Sequence, residues 1–148
     1  IVFAQSGQQY QLGASTTLLV LSPEGNAENW ESNTASIVAQ LQYGEIEFVL
    51  TGDAPINIED YIAKSFGYLI ESEVLKLGHH GSRTSTGDLF LDTIKPEYAI
   101  VSAGRDNSYG HPHKEVVSKL ELRGINILNT AEEGTIVFRS DGKKVWQE

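Results

Sequence analysis

Apolar and polar positions alternate along the first third of the chain and then shift to helical spacing. Gln9 to Leu12 and Thr16 to Leu21 read as two short strands around Gly13-Ala14, followed by a polar, turn-rich stretch from Pro23 to Asn29. Ser36 to Tyr43 and Ile46 to Thr51 form a clearer hairpin about Gly44-Glu45, its second arm apolar on both faces as far as Gly52. Ile58 to Phe66 has helical spacing at Ile58, Tyr61 and Ile62. Glu59 and Asp60 lie in its first turn, where they suit the helix dipole, and Gly67 closes it.

Strand and helix then take turns. Val74 to Leu77 is a strand, Gly87 to Ile94 a short helix with Thr86 as its cap candidate, and Tyr98 to Ser102 a further strand. Lys114 to Leu122 is an amphipathic helix stopped by Gly124, and Ile125 to Leu128 is the strand after it. Thr135 to Phe138 and Lys144 to Trp146 make a closing hairpin around Asp141-Gly142. No repeat or linker interrupts the order, so residues 1–148 read as a single α/β domain.

Composition narrows the chemistry. Eleven Lys and Arg stand against 20 Asp and Glu, a formal charge of −9, so no basic face advertises general binding to nucleic acid or anionic membrane. With no cysteine, disulfides, thiolate catalysis and thiolate zinc sites are excluded, and any metal must sit on imidazole and carboxylate. No apolar run approaches the roughly 20 residues needed to span a bilayer. A chain that opens at Ile1 in mid-pattern and lacks methionine reads as a piece of a longer product.

The candidate chemistry lies at three strand ends: Thr51-Gly52-Asp53, Gly78-His79-His80-Gly81-Ser82, and Ser102 to His113, and the last two contain all four histidines. Asp53 can project into a site while Gly52 lets the backbone approach closely, as a metal-bridging carboxylate would; the alternative is a turn or helix-cap aspartate before Pro55. Adjacent residues of a strand face opposite ways, so His79 and His80 share a pocket only if the chain turns, which Gly78 and Gly81 permit. One could bind metal while the other handles a proton or the substrate; the alternative is one buried, structural imidazole and one exposed. His111 follows a flexible turn and faces the site, whereas His113 opens the next helix behind Pro112. Ser82, Thr84, Ser85 and Thr86 are turn and cap residues, and Arg83 a solvated cation able to hold an anionic oxygen.

Taken in order, T-G-D, H-H-G-S and S-A-G-x-x-N-x-Y-G-H-P, preceded by Asn33-Thr34-Ala35-Ser36-Ile37-Val38, closely resemble the carboxyl-terminal half of the metallo-β-lactamase-like domain of the DNA-internalisation competence protein ComEC. The likeness runs from about Gly13 onward. It implies an αββα sandwich, of which this chain is the second half, and a hydrolase using zinc or manganese as one or two ions. By that resemblance Asp53 is the metal-bridging aspartate, His79 or His80 the ligand or proton-transfer histidine, and His111 the histidine of the G-H-P motif. His79, first after the strand, is the preferred metal ligand, leaving His80 and His111 as the catalytic residues that hold a phosphate or move a proton. The family's His-x-His-x-Asp-His motif is absent, so the chain by itself offers too few ligands for a catalytic centre, which needs three.

The resemblance implies a phosphodiesterase or nuclease acting on DNA in a membrane-embedded parent protein, at the extracytoplasmic face or secreted; without it, a cytoplasmic chain remains open. A lactonase or other hydrolase acting on small phosphoesters or lactones, and a non-catalytic interaction module, are the alternatives. Half a sandwich should also leave Leu18, Val20, Val38 and Val49 near an incomplete apolar face and favour self-association.

Overall fold

The computed structural model describes residues 3–148. Its strands are β1 (Gln9–Gly13), β2 (Thr16–Ser22), β3 (Val38–Tyr43), β4 (Ile46–Leu50), β5 (Val74–Lys76), β6 (Tyr98–Val101) and β7 (Asn126–Asn129), in that spatial order in one seven-stranded sheet. β1 to β4 form an antiparallel meander, whereas β4 to β7 run parallel. The change of sense follows from the connections. The two-residue turns after β1 and β3 can only reverse the chain, the longer stretch 23–37 brings β3 back antiparallel to β2, and the later links carry the helices α1 (Ile56–Phe66), α2 (Asp88–Ile94) and α3 (Lys114–Leu122).

Register decides which side chains meet those helices. Leu19, Gln40, Val49, Leu75, Ala99 and Ile127 stand in one row across β2 to β7. Apart from Gln40, these residues belong to or pack against the core formed with Ile62 and Ala63 of α1, Phe90, Leu91 and Ile94 of α2, and Val116 and Leu120 of α3. Gln40 is buried on the same row and is tolerated because its amide donates to Glu71 O (3.3 Å) and Ser72 Oγ (3.2 Å). The neighbouring row, Leu18, Leu41, Phe48, Val74, Tyr98 and Asn126, faces away from the helices. There the hairpin β8 (Phe138–Ser140) and β9 (Val145–Gln147) sets Phe138 edge-on to Tyr98 (5.2 Å) and Phe48 (6.2 Å).

Three expectations change. Leu18 and Val20 point away from the helices, but Val38 and Val49 lie on the helical side and are fully buried, so those four do not share an incomplete face. On the row of Val20, Ala39, Lys76, Ile100 and Leu128 it is Leu50 that is exposed. Thr86 is not a side-chain cap: Gly87 is the N-cap of α2, and the buried Thr86 Oγ1 has no hydrogen-bond partner among the described residues. Glu59 does not serve the dipole of its own helix from the surface. It is buried, and its carboxylate accepts from the backbone N–H groups of Thr86 (2.9 Å) and Gly87 (2.7 Å) at the start of α2.

Candidate functional site at the carboxyl ends of the parallel strands

The parallel strands β4, β5 and β6 end side by side, and the segments that leave them meet there. After β4, Thr51 Oγ1 donates to Lys76 O (2.7 Å), and Gly52 takes φ 55° so that the chain can bend against Ser36. The Asp53 N–H then donates to Ser36 Oγ (3.1 Å). Asp53 caps no helix, since α1 begins behind Pro55 without a side-chain cap, so the carboxylate is left half-buried at the sheet edge.

His79 and His80 both adopt left-handed backbone, with φ 47° and 58°, and Gly81 follows at φ 81°. Left-handed geometry costs a residue with a side chain about 1–2 kcal/mol, so two consecutive histidines in it must be held by their surroundings. The His79 N–H donates to Gly52 O (3.0 Å), Ser82 N–H to His79 O (3.0 Å), and His113 N–H to Gly81 O (3.0 Å). The turn therefore joins the Asp53 loop to the His111-Pro112-His113 segment. It also brings both imidazoles to the same side, as the flanking glycines suggested, with ring centroids 6.3 Å apart.

His111 completes the group, 5.7 Å from the His79 ring and 6.2 Å from that of His80. Its backbone is clamped by Asn107, whose side chain accepts from His111 N–H and donates to His111 O, both at 2.8 Å. Burial, aided by the neighbouring His113, His79 and His80, holds the His111 imidazole below its usual pKa, and Asp53 opposes that shift. His80 Nδ1 lies 2.5 Å from Ser102 O; a carbonyl can only accept, so Nδ1 donates and neutral His80 presents a free Nε2 lone pair. His113 has another task. Its Nδ1 accepts the Arg83 N–H (3.1 Å) while its backbone starts α3, which makes it a brace for the loop after His80.

Two residues of the site escaped the sequence reading. Asn107 stood in the S-A-G-x-x-N-x-Y-G-H-P motif without a role, because its clamp on the His111 backbone is not visible in residue type alone. Lys76, embedded in Leu75-Lys76-Leu77, passed as a strand residue, yet it lies half-buried on the sheet face turned from the helices. Burial lowers its pKa, and the Asp53 carboxylate pulls it back up. Ser82 is buried and engaged with Thr84 (Oγ–Oγ1 3.0 Å), a turn role as expected.

Asp53, His79, His80 and His111 thus gather at one edge, but among the described residues no three His, Asp or Glu side chains converge closely enough to hold a metal ion. These donors do not fit a catalytic zinc or manganese centre by themselves, which takes three protein ligands. Beside them, His80, Ser102, Ala103, Gly104, Asn107, Tyr109, His111 and Thr130 line a cavity of about 310 Å³. Among the described residues no helix is long and apolar enough to cross a membrane.

No family model matches the chain. It is 40% identical over 120 residues to the ComE operon protein 3 of Bacillus subtilis, a match covering 81% of this chain and 15% of that protein. It is 36% identical over 111 residues to the competence protein ComA of Neisseria gonorrhoeae, covering 75% of this chain and 16% of the relative. Recombination protein 2 of Haemophilus influenzae is 36% identical over 117 residues, with 79% and 14% covered. The chain therefore spans about 15% of the length of the curated relatives it matches. Its fold is similar to that of a crystal structure named as a metal-dependent hydrolase, from Parabacteroides distasonis, at TM-score 0.52 and 12% identity, covering 86% of this chain and 56% of that one.

Proposed function

We propose that this chain is the carboxyl-terminal half of a metallo-β-lactamase-like αββα domain of the ComEC type, and that the complete domain hydrolyses phosphodiester bonds of DNA during its uptake. The observation that carries this reading is the convergence of His79, His80 and His111 at the strand edge that also bears Asp53. Competence-named relatives supply the DNA context, and the structural neighbour supports the fold. Zinc or manganese would require ligands beyond Asp53, His79, His80 and His111, and this chain's own groups supply proton transfer and charge.

His80 is the proton carrier of the group. With Nδ1 committed to Ser102 O, its Nε2 can take up a proton and deliver it to a leaving oxygen without the ring rotating. His111, kept towards its neutral form, offers an acceptor to a P–OH or water proton. Lys76 adds positive charge near Asp53 in a chain that is otherwise strongly acidic. The same groups would serve a lactone or small phosphoester, so the substrate has to be read from an assay.

Cleavage of a 5′-labelled oligonucleotide by the full-length protein tests the reading. Asp53→Ala should abolish turnover, and His80→Ala and His111→Ala should each cost on the order of 10²- to 10⁴-fold, the usual range for a general acid or base. Ser82→Ala should leave the rate as it was. Undiminished cleavage in Asp53→Ala defeats the site assignment, and hydrolysis of lactones but not oligonucleotides moves the protein to the lactonase class.

A further inference from the structure

Tyr109 stands out because it is a mostly exposed aromatic ring set against a histidine of the site. Its side chain is 76% exposed, although a tyrosine gains most of its folding stabilisation from burying its ring. The ring lies nearly parallel to His111, at an interplanar angle of 18° and a centroid distance of 5.7 Å, and it forms part of the wall of the 310 Å³ cavity shared with His80. One face of the phenol thus leans on the imidazole of the site while the other is open to solvent.

The loop beneath it is not slack. Asn107 Nδ2 donates to Gly104 O as well as to His111 O, both at 2.8 Å, and Asn107 Oδ1 accepts from His111 N–H, so three hydrogen bonds close residues 104 to 111. Gly110, at φ 73° with open space where a Cβ would stand, completes the bend that turns Tyr109 towards the cavity. An exposed aromatic ring held by a braced loop at the mouth of a ligand-sized cavity is how proteins present a stacking surface. The cavity lining carries no carboxylate, which is notable in a chain of charge −9 and suits an anionic ligand.

We propose that Tyr109 is a nucleobase platform: a base adjoining the scissile phosphate stacks on its open face, so that the phosphate comes to rest at His80 and His111. This rests on the phosphodiesterase reading and deepens it, by making the ligand a nucleotide unit whose base contributes to binding and not a bare phosphoester. Stacking accepts every base, so the platform sets position along the strand without selecting sequence.

The test uses the full-length protein with two labelled probes of equal length and charge, an oligothymidylate and the corresponding oligomer of abasic residues, measuring both binding by fluorescence anisotropy and cleavage. Binding of the thymidylate should exceed that of the abasic strand by about 5- to 160-fold, the range that loss of one base–aromatic stack produces. Tyr109→Ala should weaken the thymidylate to the level of the abasic strand and leave the abasic strand as it was; Tyr109→Phe should keep the difference. Equal binding of both probes by the unmodified protein overturns the platform, and if both are also cleaved equally the phosphodiesterase reading survives without it. Tyr109→Ala weakening both probes alike assigns the ring a structural role and overturns the platform too. Failure to cleave either probe removes the phosphodiesterase reading and this inference with it.

Discussion

Gly81 and Pro112 are packed so closely that a Cβ on Gly81 would stand 2.8 Å from the Cβ of Pro112. The histidine pair and His111 meet across this contact, reinforced by the hydrogen bond from His113 N–H to Gly81 O.

Gly81→Ala should therefore destabilise the protein by on the order of 2 kcal/mol, through left-handed strain at φ 81° together with the overlap against Pro112. Gly124→Ala is the control, because Gly124 has a similar φ of 68° but open space around it. Both variants should melt early, but only Gly81→Ala should move the imidazole resonances of His79, His80 and His111. Unchanged histidine signals in Gly81→Ala would show that the contact does not align them.

His111 titrates in a field set mostly by burial and the other imidazoles. In the protein free of metal its midpoint, followed by NMR, should lie below the usual 6.5, and Asp53→Asn should lower it further by removing the charge that opposes the shift. The sign for stability follows from the favoured neutral form. Its contribution is present above pH 6.5 and is lost as the pH falls through the folded-state value. A His111 midpoint that rises in Asp53→Asn would contradict this arrangement.

The strands were legible because alternation and turn glycines are local signals: the observed β3–β4 hairpin falls close to where the pattern places it. In the last hairpin the turn is as expected, but the first arm is Phe138–Ser140 and shares only Phe138 with the stretch from Thr135 to Phe138. The His79-His80 turn was legible in the same way, since glycines flank it. What could not be read is non-local. The Ser102 carbonyl that sets the His80 tautomer lies 22 residues away, and the backbone that Glu59 holds lies 27 and 28 residues away. No periodicity separates an inward Glu from an outward one when its partners are backbone N–H groups. Val49 went wrong for a related reason: both faces of β4 carry apolar residues, so the pattern does not say which face the helices cover, and Val38 at the start of β3 lies on that same helical side.

Thr86 combines two costs, a β-branched residue at φ 64° and a buried hydroxyl with no partner. Its backbone bonds, N–H to Glu59 and O from Lys119 Nζ, do not need the side chain. Thr86→Gly should raise stability by about 1 kcal/mol, since relief of roughly 1–2 kcal/mol of strain and of the orphan hydroxyl outweighs the lost methyl burial and the added chain entropy. Denaturant titration measures this directly. A loss of stability would show that the Thr86 side chain contributes packing that its strain conceals.

Glu59 makes the stability of the protein depend on pH in the direction opposite to His111. Its carboxyl is 1% exposed, and burial pushes its pKa up to about 7 against the lowering effect of the Gly87 and Thr86 N–H bonds; Asp60 raises it further and Lys119 lowers it. A raised acid favours its protonated form in the folded state. The stabilisation is therefore complete below the unfolded value of 4.5 and is lost as the pH climbs through about 7. At about 1.4 kcal/mol per pH unit the interval is worth on the order of 3 kcal/mol. Glu59→Gln should flatten the decline between pH 4.5 and 7. It should also lower stability on the acid side, by about 1–3 kcal/mol, because an amide has one acceptor oxygen where Thr86 and Gly87 present two N–H groups. Thermal melts of both proteins across this range provide the check. Parallel curves would mean that Glu59 does not titrate there, and that the slope belongs to other groups.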